Sequence, residues 1–182
     1  MGRAPLIAAL AMLACLAACP APALAAPAPA HIEAAVPQAR VAGSGLFTYF
    51  GLKIYTAELL VGAAGYRPDA PFALDLRYER SLKGKKIAQA SVEQMEKIGA
   101  GSPAQRQQWL GQMAAIFPDV VAGEHLTGIN IPAVGARFYR DGVAIGAIDD
   151  VQFARAFFGI WLDPASTAPA LRQALLRQAA PR

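Results

Sequence analysis

The chain has 182 residues, of which 55% are hydrophobic and 16% charged, and these values are typical of one globular domain and exclude a disordered protein. Its formal net charge is +4. The basic residues are scattered among acidic ones, so the clustered basic stripe needed for nucleic-acid binding is not present and no such partner is predicted.

Residues 1–25 are predicted to be a secretory signal peptide. Arg3 supplies a positive charge, and every residue from Ala4 to Ala18 is apolar or proline. This stretch is shorter than the roughly 20 residues that a transmembrane helix needs, so a membrane span is not predicted. The protein is therefore expected to be periplasmic or secreted.

Two processing routes are considered for this leader. Small residues suit ordinary cleavage after Ala25, whereas the LAAC sequence ending at Cys19 resembles a lipobox, with a lipoprotein signal over residues 1–18. Ordinary cleavage is favoured because Pro20 directly follows that cysteine. Lipidation of Cys19 would instead give a membrane anchor, the only membrane contact predicted. Either route leaves at most one cysteine, which excludes an internal disulfide in the mature domain.

The remainder is predicted to be a tether followed by one domain. Residues 26–38 are rich in alanine and proline and have little reason to fold, and the domain covers residues 39–180. β-Branched and aromatic residues dominate residues 40–61, where two strands are predicted to join near Gly51. Alternating apolar and polar residues over positions 72–79 predict a half-buried strand.

Two helices and a second group of strands are predicted next. The first helix covers residues 85–98, and the second starts at a capping box at Ser102 and ends before Pro118. Strands follow at residues 125–131 and in a hairpin whose turn is Asp141-Gly142, which favours antiparallel pairing.

The predicted elements end with two helices. One is capped by Asp149 or Asp150 and contains the apolar stretch at residues 157–162, which is expected to pack against the sheet and to stop before Pro164. A last short helix is predicted over residues 168–178.

Few residues offer catalytic or metal-binding chemistry. His31 falls in the predicted tether and His125 in a strand, so no two-histidine metal site is expected within the fold, and no metal or other cofactor is predicted. The run containing Lys83, Lys85 and Lys86 is interpreted as the solvated start of a helix.

Cation and phenol pairs on apolar strands are the better candidates for a site. Lys53 and Tyr55 are two residues apart in the second strand, and Tyr78 and Arg80 are two residues apart in the third. The two side chains of each pair are therefore expected on the same face of the sheet. Such a pair can hold a carboxylate at the end of an apolar face. The alternative interpretation is that these side chains simply reach from strand ends into water.

Several segments resemble one known family in order and spacing. They are GSGLFTYFGLKIYTAELLV, LRYERSLKGKKIAQASVEQM, FPDVVAGEHLTG, FYRDG and FFGIWLDP. The chain is similar to the bacterial branch of the chalcone isomerase-like superfamily over roughly residues 40–178. The resemblance implies an α+β fold of the chalcone-isomerase-like type, an open-faced β-sandwich in which helices pack on a long antiparallel sheet.

The resemblance implies two different activities. The plant isomerases of this superfamily close a flavanone ring with an arginine in the first hairpin and a tyrosine and a lysine on a helix, whereas other members resemble fatty-acid-binding proteins. In this chain Leu46 and Phe47 stand where the arginine is expected, and Ile87 and Ala90 where the tyrosine and the lysine are expected. Thr48 lies near the position of a family threonine. The implied activity is therefore binding without catalysis.

The predicted function is that of an exported, noncatalytic protein which holds an apolar acid, such as a fatty acid, in a cleft between sheet and helices. The predicted ligand-binding residues are Thr48, Lys53, Tyr55, Tyr78 and Arg80. One alternative is a lyase or isomerase of the chalcone isomerase type. Another is an envelope interaction module without a ligand and without a pocket. The sequence does not decide whether the cavity is open or is filled by Trp109, Phe157 and Trp161. The oligomeric state is not predicted.

Overall fold

The computed structural model describes residues 27–181, and the predicted signal peptide, with Cys19 and its possible lipid, lies outside these residues. Within them, six strands form one antiparallel sheet in the order β1-β2-β3-β4-β5-β6, so each strand pairs with the next along the chain. The strands are β1 (Arg40–Tyr49), β2 (Leu52–Val61), β3 (Phe72–Tyr78), β4 (His125–Ile131), β5 (Gly135–Arg140) and β6 (Val143–Ile148).

The helices are α1 (Ala30–Glu33), α2 (Gly84–Lys97), α3 (Pro103–Ile116), α4 (Val151–Leu162) and α5 (Pro169–Leu175). Helices α2 and α3 are inserted between β3 and β4, and α4 and α5 follow the last strand. The predicted α+β arrangement, a long antiparallel sheet with helices packed on it, is confirmed. Helix α5 is shorter than the predicted residues 168–178.

Local signals set the helix ends as expected. The side chain of Ser102 accepts a hydrogen bond from the backbone of Gln105, and the Gln105 side chain accepts one from the backbone of Ser102, which completes the predicted capping box. Helix α4 ends at Leu162, and Asp163 has an extended conformation with ψ of 142°, as the residue before a proline prefers. No helix within residues 27–181 is both long enough and apolar enough to cross a membrane.

The main core lies between α4 and one face of the sheet, here called the inner face. The apolar stretch of α4 is buried there, as predicted, with Phe157 at its centre. The Phe157 ring lies 5.3 Å from that of Phe138 on β5 and 5.4 Å from that of Trp161, both edge to face. These aromatic contacts, together with the apolar area they bury, stabilise the helix on the sheet.

Asp150, one of the two predicted capping residues, joins three parts of the fold. Its carboxylate accepts hydrogen bonds from the backbone of Gln152 and Phe153 and one of 2.9 Å from Nε1 of the buried Trp109 on α3. Burial alone would raise the pKa of this carboxyl, but the bonds from Trp109, Phe153 and Gln152 outweigh burial and hold the pKa below its ordinary value of 3.8.

Replacement of Asp150 by asparagine should lower the free energy of unfolding by about 1–2 kcal/mol at neutral pH, because the amide nitrogen would face the Trp109 N–H and leave it without an acceptor. The folded-state pKa is depressed, so the carboxylate stabilises the fold above the unfolded pKa and loses that effect as pH falls through the folded pKa. The difference between the proteins should therefore shrink in acid. Urea unfolding at several pH values measures it. Asp149→Asn is the control, because that carboxylate does not bond to Trp109 and its ion pair with Arg137 is exposed.

The predicted tether is ordered in the structure, which corrects the expectation that it has little reason to fold. Ile32 and Val36 are 1% and 0% exposed, and they pack on the outer face of the sheet against Leu60, Ala73 and Ile129. The two side chains are four residues apart, so a single helical turn brings both onto this apolar patch. Alanine and proline content alone does not reveal that patch.

The same segment brings His31 to the sheet, although the sequence places it outside the fold. Its Nε2 lies 3.3 Å from the Thr127 hydroxyl, which donates a bond to Asp75, and the Nδ1 of His125 lies 2.6 Å from the same Asp75 carboxylate. His125 thus has a hydrogen-bond partner within the sheet. Among residues 27–181, no three His, Cys, Asp or Glu side chains are arranged to hold a metal ion.

Candidate functional site

A cavity of about 380 Å³ lies between the inner face of the sheet and helices α2 and α4. This volume is within the range of about 300–1,000 Å³ typical of small-molecule sites. Most of the lining side chains are aliphatic or aromatic, among them Phe47, Ile54, Leu74, Leu76, Leu126, Phe138, Phe157 and Ile160. The cavity is therefore suited to an apolar molecule or to the apolar part of a larger one.

Small residues lie on both sides of this cavity. Gly128 lies at the centre of β4, where a Cβ atom would come within 3.2 Å of the Phe158 ring, so the missing side chain lets α4 pack closely on the sheet. On α2 the residues facing the cavity include Ala90 and Ser91. Their short side chains leave space between α2 and the sheet.

Two phenols provide polar groups inside the cavity. The Tyr55 and Tyr78 rings, on neighbouring strands, meet edge to face at 5.9 Å. The Tyr55 hydroxyl accepts a 3.0 Å hydrogen bond from Nε1 of Trp161 on α4. The Tyr78 hydroxyl has no hydrogen-bond partner among residues 27–181, and the residue lines the cavity. It is therefore placed to bond to a ligand.

Both phenols stay protonated in the physiological pH range. Burial raises the pKa of Tyr55 well above its ordinary value, against a smaller opposite effect of the bond from Trp161. Burial likewise raises the pKa of Tyr78, and the neighbouring Tyr55 raises it further. The two hydroxyls can hold a polar ligand group by hydrogen bonding, but neither is poised to remove a proton.

The rim of the cavity is formed by charged residues of α2. Lys86, Glu93 and Lys97 are exposed and lie at the cavity edge. Lys86 and Lys97 are eleven residues apart, which is three helical turns, so they share one side of α2. Neither lysine takes part in an ion pair within residues 27–181, whereas Lys83 pairs with Asp119 at 2.7 Å. The rim therefore offers two cations to an anionic group.

The structure brings only two of the five predicted ligand-binding residues to the cavity, Tyr55 and Tyr78. Thr48, Lys53 and Arg80 are exposed and are not part of its lining.

A bulge explains the position of Lys53. Thr48 pairs with Lys53 but Phe47 pairs with Tyr55, so Ile54 is an extra residue on β2. A bulge interrupts the alternation of side chains between the two faces of the sheet. Lys53 and Tyr55 therefore do not point to the same site, although they are two residues apart.

Arg80 is misplaced for a different reason. Strand β3 ends at Tyr78, and the two residues that follow bend away from the strand. The alternation that would put Arg80 beside Tyr78 therefore does not continue that far.

Several cavity residues were not predicted from the sequence as ligand-binding residues. The lysines at positions 86 and 97 are the clearest case, and their only signal was helical spacing along α2. The sequence left open whether the interior is filled. Trp161 and Phe157 line the cavity without filling it. Trp109 lies in α3, where it bonds to Asp150.

Comparisons with known proteins agree with this architecture. A family model described as chalcone isomerase-like matches residues 28–177. An uncharacterized protein of Haemophilus influenzae is 31% identical over 135 residues, which cover 74% of this chain and 66% of that protein. The chain thus spans just under two thirds of that relative's length.

A solved structure gives a similar result. The crystal structure of an Arabidopsis thaliana fatty-acid binding protein matches with a TM-score of 0.63 at 12% sequence identity, covering 80% of this chain and 91% of that one. At this identity the similarity concerns the fold, an antiparallel sheet with helices packed on it.

Proposed function

Because the chain belongs to the chalcone isomerase-like family, we propose that it is an exported, noncatalytic binding protein that holds an apolar acid, such as a fatty acid, between sheet and helices. The observation that carries this proposal is the apolar cavity of about 380 Å³ with two phenols inside and two unpaired lysines at its rim. The signal peptide predicted for residues 1–25 supports export. The fatty-acid binding protein of Arabidopsis with the same fold supports the ligand class.

The cavity suits a molecule with a long apolar part and one acidic end. Burial of about ten methylene groups would contribute on the order of 8 kcal/mol before the cost of ordering the ligand. The carboxylate would lie at the rim near Lys86 or Lys97, which are about 16 Å apart along α2, and there it stays partly hydrated. Tyr78 would bond to a second polar group in acids that carry one along the chain. Apolar burial thus provides the affinity, and the lysines provide the preference for an acid.

The lining residues argue against the isomerase alternative. They include no histidine and no cysteine, and the two phenols stay protonated. Phe47 stands where the family's plant isomerases carry an arginine, and it stacks on Tyr55 at 5.1 Å. Without a cation at that point, stabilisation of a developing anion worth several kcal/mol would be missing.

Native mass spectrometry of the protein purified from cells tests the proposal directly. The expected spectrum contains the folded chain together with an added mass that extraction identifies as a fatty acid, and delipidated protein should rebind it. A spectrum of chain alone, with no rebinding of any fatty acid, would reject the binding function. Ring closure of a chalcone faster than the uncatalysed rate would favour the isomerase instead.

The double substitution Lys86→Gln and Lys97→Gln should weaken fatty-acid binding up to about fivefold, because it removes the ion pair whichever lysine the carboxylate meets, and an exposed ion pair contributes up to about 1 kcal/mol. Affinity for the alcohol of equal chain length should not change, since it carries no charge. Lys85→Gln is the matched control, because Lys85 is on the same helix but outside the cavity lining. Titration calorimetry measures all three proteins, and an equal loss for acid and alcohol would contradict the assigned role.

A further inference from the structure

The turn between β1 and β2 exposes three large apolar side chains. Tyr49, Phe50 and Leu52 are 61%, 86% and 53% exposed, and we call these three residues the hairpin tip. Tyr49 and Phe50 contact each other edge to face at 4.6 Å. A single exposed apolar residue is common on protein surfaces, but three of them on one protruding turn indicate a contact with something else.

The backbone of this turn makes the exposure more unusual. Tyr49 pairs with Leu52, so Phe50 and Gly51 form a two-residue turn, with φ angles of 47° and 75°. Both angles are in the left-handed region, which asparagine, aspartate and glycine adopt readily and a phenylalanine does not. Phe50 therefore costs free energy in its backbone as well as by its exposure to water.

The other two-residue hairpin of this protein has the usual residues. Arg140 pairs with Val143, and the turn between them is Asp141-Gly142, with φ angles of 47° and 81°. The two turns have the same geometry, yet only one has a large aromatic residue at the strained position. A strained residue that the fold does not need indicates a function.

The surroundings of the hairpin tip favour a lipid surface. Tyr49 also lines the cavity, so the tip and the cavity opening are continuous. Lys53 is exposed directly after the tip, and residues 46–53 contain no acidic residue. Apolar side chains beside a cation suit an anionic bilayer, where the rings enter the acyl boundary and Lys53 meets the headgroups. A stable protein interface would need about 800 Å² on each partner, which three side chains do not supply.

We infer that the hairpin tip inserts into the surface of an anionic lipid bilayer and sets the opening of the cavity against it. This is a membrane contact distinct from the N-terminal lipid, which the sequence offers only as the less favoured processing route. That the bilayer also exchanges the apolar acid with the cavity rests on the proposed binding function.

Tryptophan fluorescence of the full chain tests the insertion. Phe50→Trp, mixed with vesicles of phosphatidylethanolamine and brominated phosphatidylglycerol, should shift its emission to the blue and be quenched. Val143→Trp is the matched control, because Val143 is 69% exposed beside the other hairpin turn. Equal quenching at both positions, or none at position 50, would overturn the inference. The difference in quenching between the two variants stays informative if an N-terminal anchor already holds the protein on the vesicle, because quenching reports which of the two positions lies within the bilayer.

A second variant separates insertion from ligand binding. Phe50→Asn restores a residue type that the turn prefers, so its melting temperature should rise, and its affinity for a fatty acid in solution should not change. Its rate of fatty-acid uptake from the same vesicles should fall roughly tenfold or more, as expected for loss of a buried aromatic contact. Unchanged uptake would overturn the inference. It would also be overturned if the wild-type protein were a dimer and Phe50→Asn a monomer, because the hairpin tip would then contact a second copy of the chain. Loss of affinity in solution would instead count against the proposed function.

Discussion

Replacement of Ala90 by tryptophan is expected to weaken fatty-acid binding about a hundredfold while the fold stays intact. Ala90 lines the cavity from α2 and is exposed, so a larger side chain can enter the cavity opening without displacing the core. An indole there would exclude about four methylene groups of a bound chain, and their loss corresponds to roughly a hundredfold lower affinity. Displacement of a fluorescent fatty acid measures the change.

Ala115→Trp is the matched control for this experiment. Ala115 is exposed on α3 and is not part of the cavity lining, so the substitution has the same helix propensity cost without reaching the cavity. Its affinity should equal that of the wild type, and the urea midpoints of both variants should lie close to the wild-type value. Wild-type affinity in Ala90→Trp would show that the ligand does not occupy this cavity.

The second large effect is expected at Gly84, the first residue of α2. A Cβ atom at this position would lie 2.0 Å from the carbonyl oxygen of Phe117 and 2.7 Å from that of Pro118. The backbones meet so closely because Leu82 and Val120 exchange two hydrogen bonds, of 3.0 and 2.9 Å, just before α2 and just after α3. Gly84→Ala should therefore lower the free energy of unfolding by about 3 kcal/mol, the upper range for overpacking.

This substitution should also affect the candidate site, because α2 carries the rim lysines. Urea unfolding measures the loss of stability, and the same fatty-acid titration measures any shift of the rim. Gly111→Ala on α3 is the control, since no atom lies within 4 Å of its Cβ position. It should stabilise the protein by about 0.5–1 kcal/mol through helix propensity. Equal stability changes in the two glycine variants would contradict the close backbone contact.

The two faces of the sheet have different roles in this interpretation. The inner face and α2 enclose the cavity, and the hairpin tip lies at one end of it. The outer face is covered in part by the N-terminal segment through Ile32 and Val36. The described residues nearest to the predicted signal peptide therefore pack on the side away from the cavity.

The sequence by itself determined most of the local structure of this protein. The capping box at Ser102, the Asp141-Gly142 turn and Pro164 each set the end or the turn of an element, because each acts through atoms within a few residues. The alternation over residues 72–79 identified the buried face of β3 for a similar reason. The resemblance to the chalcone isomerase-like family then added the arrangement of these elements.

Only the tertiary structure decided which side chains meet at the cavity. An extra residue at Ile54 moved Lys53 off the site, while the position of α2 beside the cavity brought Lys86 and Lys97 to the rim. The N-terminal segment folds because an apolar patch on distant strands receives Ile32 and Val36. These outcomes depend on contacts between residues far apart in the chain, and periodicity reports only on neighbours.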